Sequence, residues 1–380
     1  MAYPEKYDVA VIGGGLGGLS VAIQCAEAGY HTVLFEKEDY PFHKVCGEYI
    51  SLESHGFLEK LGLPLQEWGR PLITRLQVSD INGRIATVPL PLGGFGISRY
   101  TIDEALYRVA LAKGVTIHTN TKVQDIQYRE DSITISAAGK EITAQVAVGS
   151  FGKKSNIDVK WNRQFQQEKA AKQNNHIAVK YHLQYPNHPQ DVIALHNFDG
   201  GFGGICQVEG DKSCFCYLTT AAHLKAHGND LHQLEQQVLS RNPALQKILS
   251  TAIALYKEPI TISQISFSAR TQVENHVLLV GDAAGAITPV CGNGMSMALH
   301  AGKMAFGQLH LFLQKQITRE AMEHNYQQEW NKNFRQRVTT GRYLQRIAGT
   351  RQGSVLFVSF MKYLPAIAKK VVASTHGQPF

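Results

Sequence analysis

The chain has 380 residues, 44% hydrophobic and 18% charged, with a formal net charge of +7 and six cysteines. That balance supports a large core in two closely joined domains and excludes a disordered chain or a disulfide-stapled miniprotein. Basic residues are dispersed among acidic ones until the last third and no nucleic-acid motif occurs, so no nucleic-acid partner is expected. No apolar run reaches the length of a membrane span and the N-terminus lacks a signal-like pattern, so the expectation is a cytoplasmic protein with free thiols.

In chain order, residues 7–12 (YDVAVI) read as a buried strand that runs straight into glycines. Residues 16–28 read as a helix stopped by Gly29, and residues 31–36 as a second strand. Both strands are apolar throughout, as a parallel sheet covered on two faces requires. A polar, glycine-containing loop follows over 39–51, then a short helix over 52–61. Residues 72–90 alternate around Asn82-Gly83, a hairpin signal. A helix over 101–113 ends at Gly114 and leads into a strand over 115–119. Residues 123–148 read as a three-stranded meander turning at Glu130-Asp131 and Ala138-Gly139. From 175 to 220, strand-like runs follow one another without helices, the pattern of an antiparallel sheet. A helical stretch over 230–255 precedes strands over 260–268 and 277–280, and a helix resumes near Gly294. Residues 319–373 are helical and basic.

The glycines GGGLGG at 13–18 satisfy G-x-G-x-x-G between a strand and a helix. Gly13 permits the tight turn, Gly15 lets backbone approach a pyrophosphate, and Gly18 lets the helix pack on the strand. Leu16 and Gly17 open the helix, whose free N–H groups and dipole favour phosphate. Glu36 ends the second strand where a carboxylate holds ribose hydroxyls, and it would repel a 2′-phosphate, so the loop suits FAD or NAD.

A second segment, VLLVGDAAG at 277–285, resembles the strand and Gly-Asp motif of FAD-dependent enzymes related to p-hydroxybenzoate hydroxylase and geranylgeranyl reductase. PVCGNGMSMA at 289–298 is similar to that superfamily's P-x-x-G-x-G loop, and RYTIDEAL at 99–106 to its R-x-x-(L/F)-D-x-x-L signature. HKVCGEY at 43–49 looks like the loop that runs beside flavin and substrate in the geranylgeranyl reductase branch. The resemblance implies an α/β fold: a Rossmann-like FAD-binding domain (1–75, 98–160, 268–315), an inserted antiparallel-sheet substrate domain (76–97, 161–267), and C-terminal helices (316–380). It implies that Gly281 and Asp282 meet the ribityl chain, and that Gly292, Asn293, Gly294 and Met295 present a helix N-terminus to the flavin pyrimidine. Arg99 then reaches the ribityl or phosphate, the Val123 backbone meets adenine, and Lys37 and Lys44 lie along the cofactor.

The chemistry implied is an FAD-dependent oxidoreductase acting on a hydrophobic aromatic, polyketide or isoprenoid-like molecule. Electrons would come from a reduced nicotinamide or another external donor. Oxygen transfer ranks first, C=C reduction second and halogenation third. Two departures bear on this ranking. Phe151 stands where nicotinamide-using hydroxylases carry Asp, and residues 201–207 lack the tryptophans of halogenases. Cys46 and Cys291 are expected to face the flavin, either as a redox-sensitive pair or as pocket walls. Glu48 is expected to donate a proton or to cap a turn. No metal-ligand spacing occurs. Residues 355–372 either rest on an anionic membrane or pack over the substrate domain.

Overall fold

The computed structural model describes residues 6–168 and 175–380. Two sheets organise it. In the first, Val277–Leu279, Lys140–Gly149, Lys6–Ile12, Thr32–Phe35 and Thr116–His118 lie side by side and parallel, with Val273–Glu274 antiparallel at one edge. The central strand is buried on both faces, and Val9, Ala10 and Val11 are fully inaccessible, which is why its sequence shows no polar alternation. The meander Val123–Arg129, Ser132–Ala137 and Lys140–Gly149 joins this sheet through its last strand. Its two turns place Glu130, Asp131, Ala138 and Gly139 at positive φ, the backbone that tight hairpins demand.

The helix Leu16–Glu27 follows the first strand and touches both Arg99–Ala112 and Gly294–Leu313. Leu19, Val21 and Ile23 on it are completely buried, each worth about 2 kcal/mol of transfer free energy.

The second sheet has the order Ile253–Ala254, His176–Gln184, Ser213–Thr220, Gly201–Gln207, Val192–Phe198, Leu72–Ser79, Ile85–Gly96 and Tyr49–Ser51, with Ile260–Ile265 also on His176–Gln184. Its pairings are antiparallel except between Val192–Phe198 and Leu72–Ser79, which run parallel. Tyr49–Ser51 and all of Leu72–Ser79 therefore belong to this sheet, and the boundary expected at residue 76 lies too late. The cause is pairing between distant segments, which local alternation does not encode.

Three helices close the chain: Arg319–Ala348, Arg351–Tyr363 and Pro365–Thr375. The first two are capped by the hydroxyls of Thr318 and Thr350. The last two rest on strand Ile85–Gly96, burying Val358, Met361, Ala368 and Val372 at helical spacing. Among the described residues, no helix is long and apolar enough to cross a membrane.

Candidate active site

The glycine loop is built for close approach. Gly13 has φ +104°, and a Cβ there would strike the Ser150 carbonyl; one on Gly18 would strike the Gly13 carbonyl. At Gly15 a Cβ would point into open space, meeting only Arg99 Nη2 at 3.8 Å. Gly15 also occupies the N-cap of helix Leu16–Glu27, so no side chain satisfies the first N–H groups. The Glu36 carboxylate accepts from the Gly14 N–H at 2.9 Å and the Glu38 N–H at 3.2 Å, which fixes it at the mouth of this turn.

The second segment meets the first directly. A Cβ on Gly17 would lie 3.2 Å from Val280 Cγ2 and 3.0 Å from the Ala298 carbonyl, so residues 13–18 and 280–298 pack backbone to backbone. Gly281 and Gly292 sit at φ +60° and +65°, where other residues are strained. Helix Gly294–Leu313 starts at Asn293 without a side-chain cap, leaving a second open helix N-terminus. Asp282 Oδ2 lies 3.6 Å from Lys153 Nζ.

Between these segments and the second sheet lies one cavity of about 1360 Å³. That exceeds the roughly 300–1,000 Å³ of an ordinary small-molecule site and leaves room for a dinucleotide beside a second molecule. Gly13, Gly15, Leu16, Gly17, Glu36, Lys37, Lys44, Arg99, Val123, Gly281, Asp282, Gly292, Asn293, Gly294 and Met295 all line it, as do Cys46 and Glu48. Gly18 does not; its role is packing. Lys37 stays at the solvent side, 3.5 Å from Glu38, and the Val123 carbonyl accepts from Asn156 at 3.0 Å.

Arg99 does not stand free. Its guanidinium makes two bonds to Asp103, at 2.8 and 2.6 Å, and Lys44 Nζ joins the same carboxylate at 3.0 Å. Burial alone would raise the Asp103 carboxyl, but these two cations outweigh it and hold it below the usual range. Two cations on one carboxylate leave a net positive charge beside Gly15, where a pyrophosphate is best placed.

Three side chains of the second sheet grip the loop 44–48. Lys180 Nζ donates to the Lys44 carbonyl at 3.0 Å, the Cys214 thiol to the Cys46 carbonyl at 3.2 Å, and the Cys206 thiol to the Gly47 carbonyl at 3.3 Å. Glu48, at φ 56° and fully buried, forms the hub. It pairs with Lys180, accepts from the Arg99 N–H at 2.8 Å, and lies 2.6 Å from His182 Nε2. Burial pushes its carboxyl up, but the His182 bond and the Lys180 ammonium prevail, so Glu48 titrates below the ordinary range. Burial would lower Lys180, yet neighbouring Cys214 and Glu48 keep it above its usual value. Neither Lys180 nor His182 was expected from sequence. A Lys and a His two residues apart, on the buried face of strand His176–Gln184, are the signal that points to them.

A model of the FAD binding domain matches residues 6–339. The chain belongs to this FAD-binding family. It is therefore an FAD-dependent oxidoreductase, and the open glycine turn, two uncapped helix ends and the Arg99–Lys44 charge fit the cofactor. It is similar to the digeranylgeranylglycerophospholipid reductase of Methanococcus vannielii, 24% identical over 332 residues, 80% of this chain and 77% of that protein. Menaquinone reductase of Mycobacterium tuberculosis is 23% identical over 339 residues, 80% of this chain and 77% of the relative. Among solved structures, the flavin-dependent brominase Bmp2 superposes with a TM-score of 0.78 at 17% identity, covering 97% of this chain and 94% of that one; this establishes a shared fold.

Cys46 and Cys291, expected either to pair or to wall the pocket, border different cavities. All six cysteines are free, and Cys46 lines the large cavity while Cys291 lines a separate apolar one. The Cys291 thiol lies 3.7 Å from the Thr288 hydroxyl, and burial pushes it up to about 12, so it is not a reactive thiolate. The short turn Pro289–Cys291 sets Cys291 away from the large cavity while Pro289 and Gly292 line it. Ligand atoms of Glu48, His182 and Cys214 lie within 4.8 Å of one another. The Lys180 ammonium on Glu48 already supplies the positive charge there, and no metal is assigned.

Proposed function

We propose that this enzyme reduces a carbon–carbon double bond in a long apolar, isoprenoid-like molecule. The observation that carries the reading is the division of the cavity. Its Rossmann side is glycine backbone and charge; its second-sheet side is mostly apolar, with Ile193, Leu195, Phe202, Ile205 and Leu218 beside the fewer polar groups of Tyr217, Thr261 and Gln264. Such a wall binds through area and excludes water, with few groups to fix a polar substrate. Two relatives matched over 80% of this chain, a digeranylgeranylglycerophospholipid reductase and a menaquinone reductase, support the same class. Sequence motifs alone rank oxygen transfer first; these two relatives support placing reduction ahead of it.

Bound FAD, once reduced, supplies a hydride equivalent. Saturation also needs a proton, and Glu48, which lines the cavity and is bonded to His182 Nε2 and Lys180, is the carboxyl group of the second-sheet cluster placed to relay one. His182 Nδ1 is buried without a hydrogen-bond partner. Arg99 and Lys44 orient the cofactor, and the clamped loop 44–48 keeps Cys46 and Glu48 against the cavity. Phe151 lines the same cavity at the position where nicotinamide-using hydroxylases carry Asp. An external electron donor other than a directly bound nicotinamide fits best.

Oxygen transfer is the second reading, since the segment 277–298 resembles p-hydroxybenzoate hydroxylase as well as geranylgeranyl reductase. Incubating the enzyme, a reductant and polyprenyl substrates with and without O₂ and halide separates the outcomes. Product carrying two extra hydrogens without O₂ supports reduction. Product that forms only with O₂ and carries oxygen overturns it.

A further inference from the structure

We propose that the two terminal helices seat this protein on an anionic lipid surface. The charge of the chain is divided sharply. After Glu329 there are nine Lys and Arg and no Asp or Glu, so the preceding 329 residues hold 29 basic against 31 acidic residues, a net −2. Four of these cations, Arg351, Lys362, Lys369 and Lys370, stand on the two terminal helices and the other five on helix Arg319–Ala348 before them.

Those helices also expose apolar side chains. Val358, Met361, Ala368 and Val372 face inward to the strand Ile85–Gly96. On the outer side, Leu356 is 69% and Tyr363 73% exposed, one above the other at i and i+7, and Ile367 follows at 45%. Lys362, Lys369 and Lys370 stand exposed among them. Exposed aliphatic and aromatic groups among lysines, on two helices that carry no Asp or Glu, match a bilayer interface of apolar chains under anionic headgroups. The slightly acidic remainder of the molecule would be held outward by the same field.

The patch covers something useful. Directly beneath it, Phe357, Met361 and Val372 roof the second, apolar cavity, which shares Tyr49, Ile193 and Leu195 with the flavin-side cavity. A lipid-dissolved molecule is thereby one helix layer away from the apolar wall.

Flotation of the FAD-loaded protein with phosphatidylcholine vesicles, with and without phosphatidylglycerol, tests this without reading turnover. Anionic vesicles should carry the protein upward, neutral ones should not, and high salt should release it. Lys369→Glu with Lys370→Glu should weaken partition at least ten-fold, since each basic residue contributes about five-fold at such a surface. Leu356→Ser with Ile367→Ser should weaken it too, with Tm and flavin absorbance unchanged. No flotation, equal partition into neutral vesicles, or a dimer that forms through this face and ignores vesicles would overturn the proposal.

Discussion

His182 Nε2 lies 2.6 Å from Glu48 Oε2, tying the second sheet to the loop that borders the flavin cavity. Both side chains are buried, as is Lys180 on the same carboxylate. One anion therefore holds two elements, and its removal has consequences for both fold and site.

Replacing Glu48 by Gln leaves the Lys180 ammonium buried without its counter-charge. Loss of one partner from a buried pair costs about 3–5 kcal/mol. Urea denaturation of the FAD-loaded E48Q protein should show a loss of that size, and combining it with Lys180→Met should restore part of it. A loss under about 1 kcal/mol would mean the pair is not closed in solution.

The same group sets a pH window. Glu48 titrates below its unfolded value of about 4.3, so its contribution is present above that pH and is lost as pH falls further. Lys180 titrates above its unfolded value of about 10.4, so its contribution is complete below that pH and is lost as pH rises through the folded value. Thermal melts should therefore show a plateau from roughly pH 5 to 10. The E48Q/K180M double variant should have a shallower acid limb.

Gly15 and Gly18 separate cofactor binding from folding. Gly15→Val places its side chain in open cavity, so the apo Tm should hold while FAD affinity falls at least ten-fold, about 1.4 kcal/mol. Gly18→Val drives its side chain into the Gly13 carbonyl, so the fold itself should weaken. Fluorescence titration with FAD, beside calorimetry of the apoprotein, reads both. Equal FAD affinity in Gly15→Val would remove the turn from the cofactor site.

Cys291 should be chemically silent. With its thiol pushed up to about 12 and buried, alkylation should be slow in the folded protein and fast in urea. Cys291→Ala should keep turnover near that of the parent. Formation of a disulfide with Cys46 under mild oxidation would contradict the separation of the two thiols.

Much of this was legible in the sequence because it is local. The first strand, glycine turn and helix, the meander with both turns, and the Gly281-Asp282 turn follow from periodicity and from glycines at positive φ. What escaped depends on chain segments brought together from afar. The parallel contact between Val192–Phe198 and Leu72–Ser79 spans more than a hundred residues. Lys180 and His182 acquire meaning only once Glu48, over 130 residues earlier, is folded against them. Arg99 shows the same limit. Its pairing with Asp103 follows from i,i+4 spacing, but the third member, Lys44, does not.

The most direct test of the proposed reaction is anaerobic mixing of the reduced enzyme with a polyprenyl substrate while flavin absorbance is followed. Reduction of a double bond predicts stoichiometric return of the oxidised flavin spectrum and a product richer by two hydrogens. A spectrum that stays reduced until O₂ is admitted, followed by an oxygen-bearing product, would contradict it.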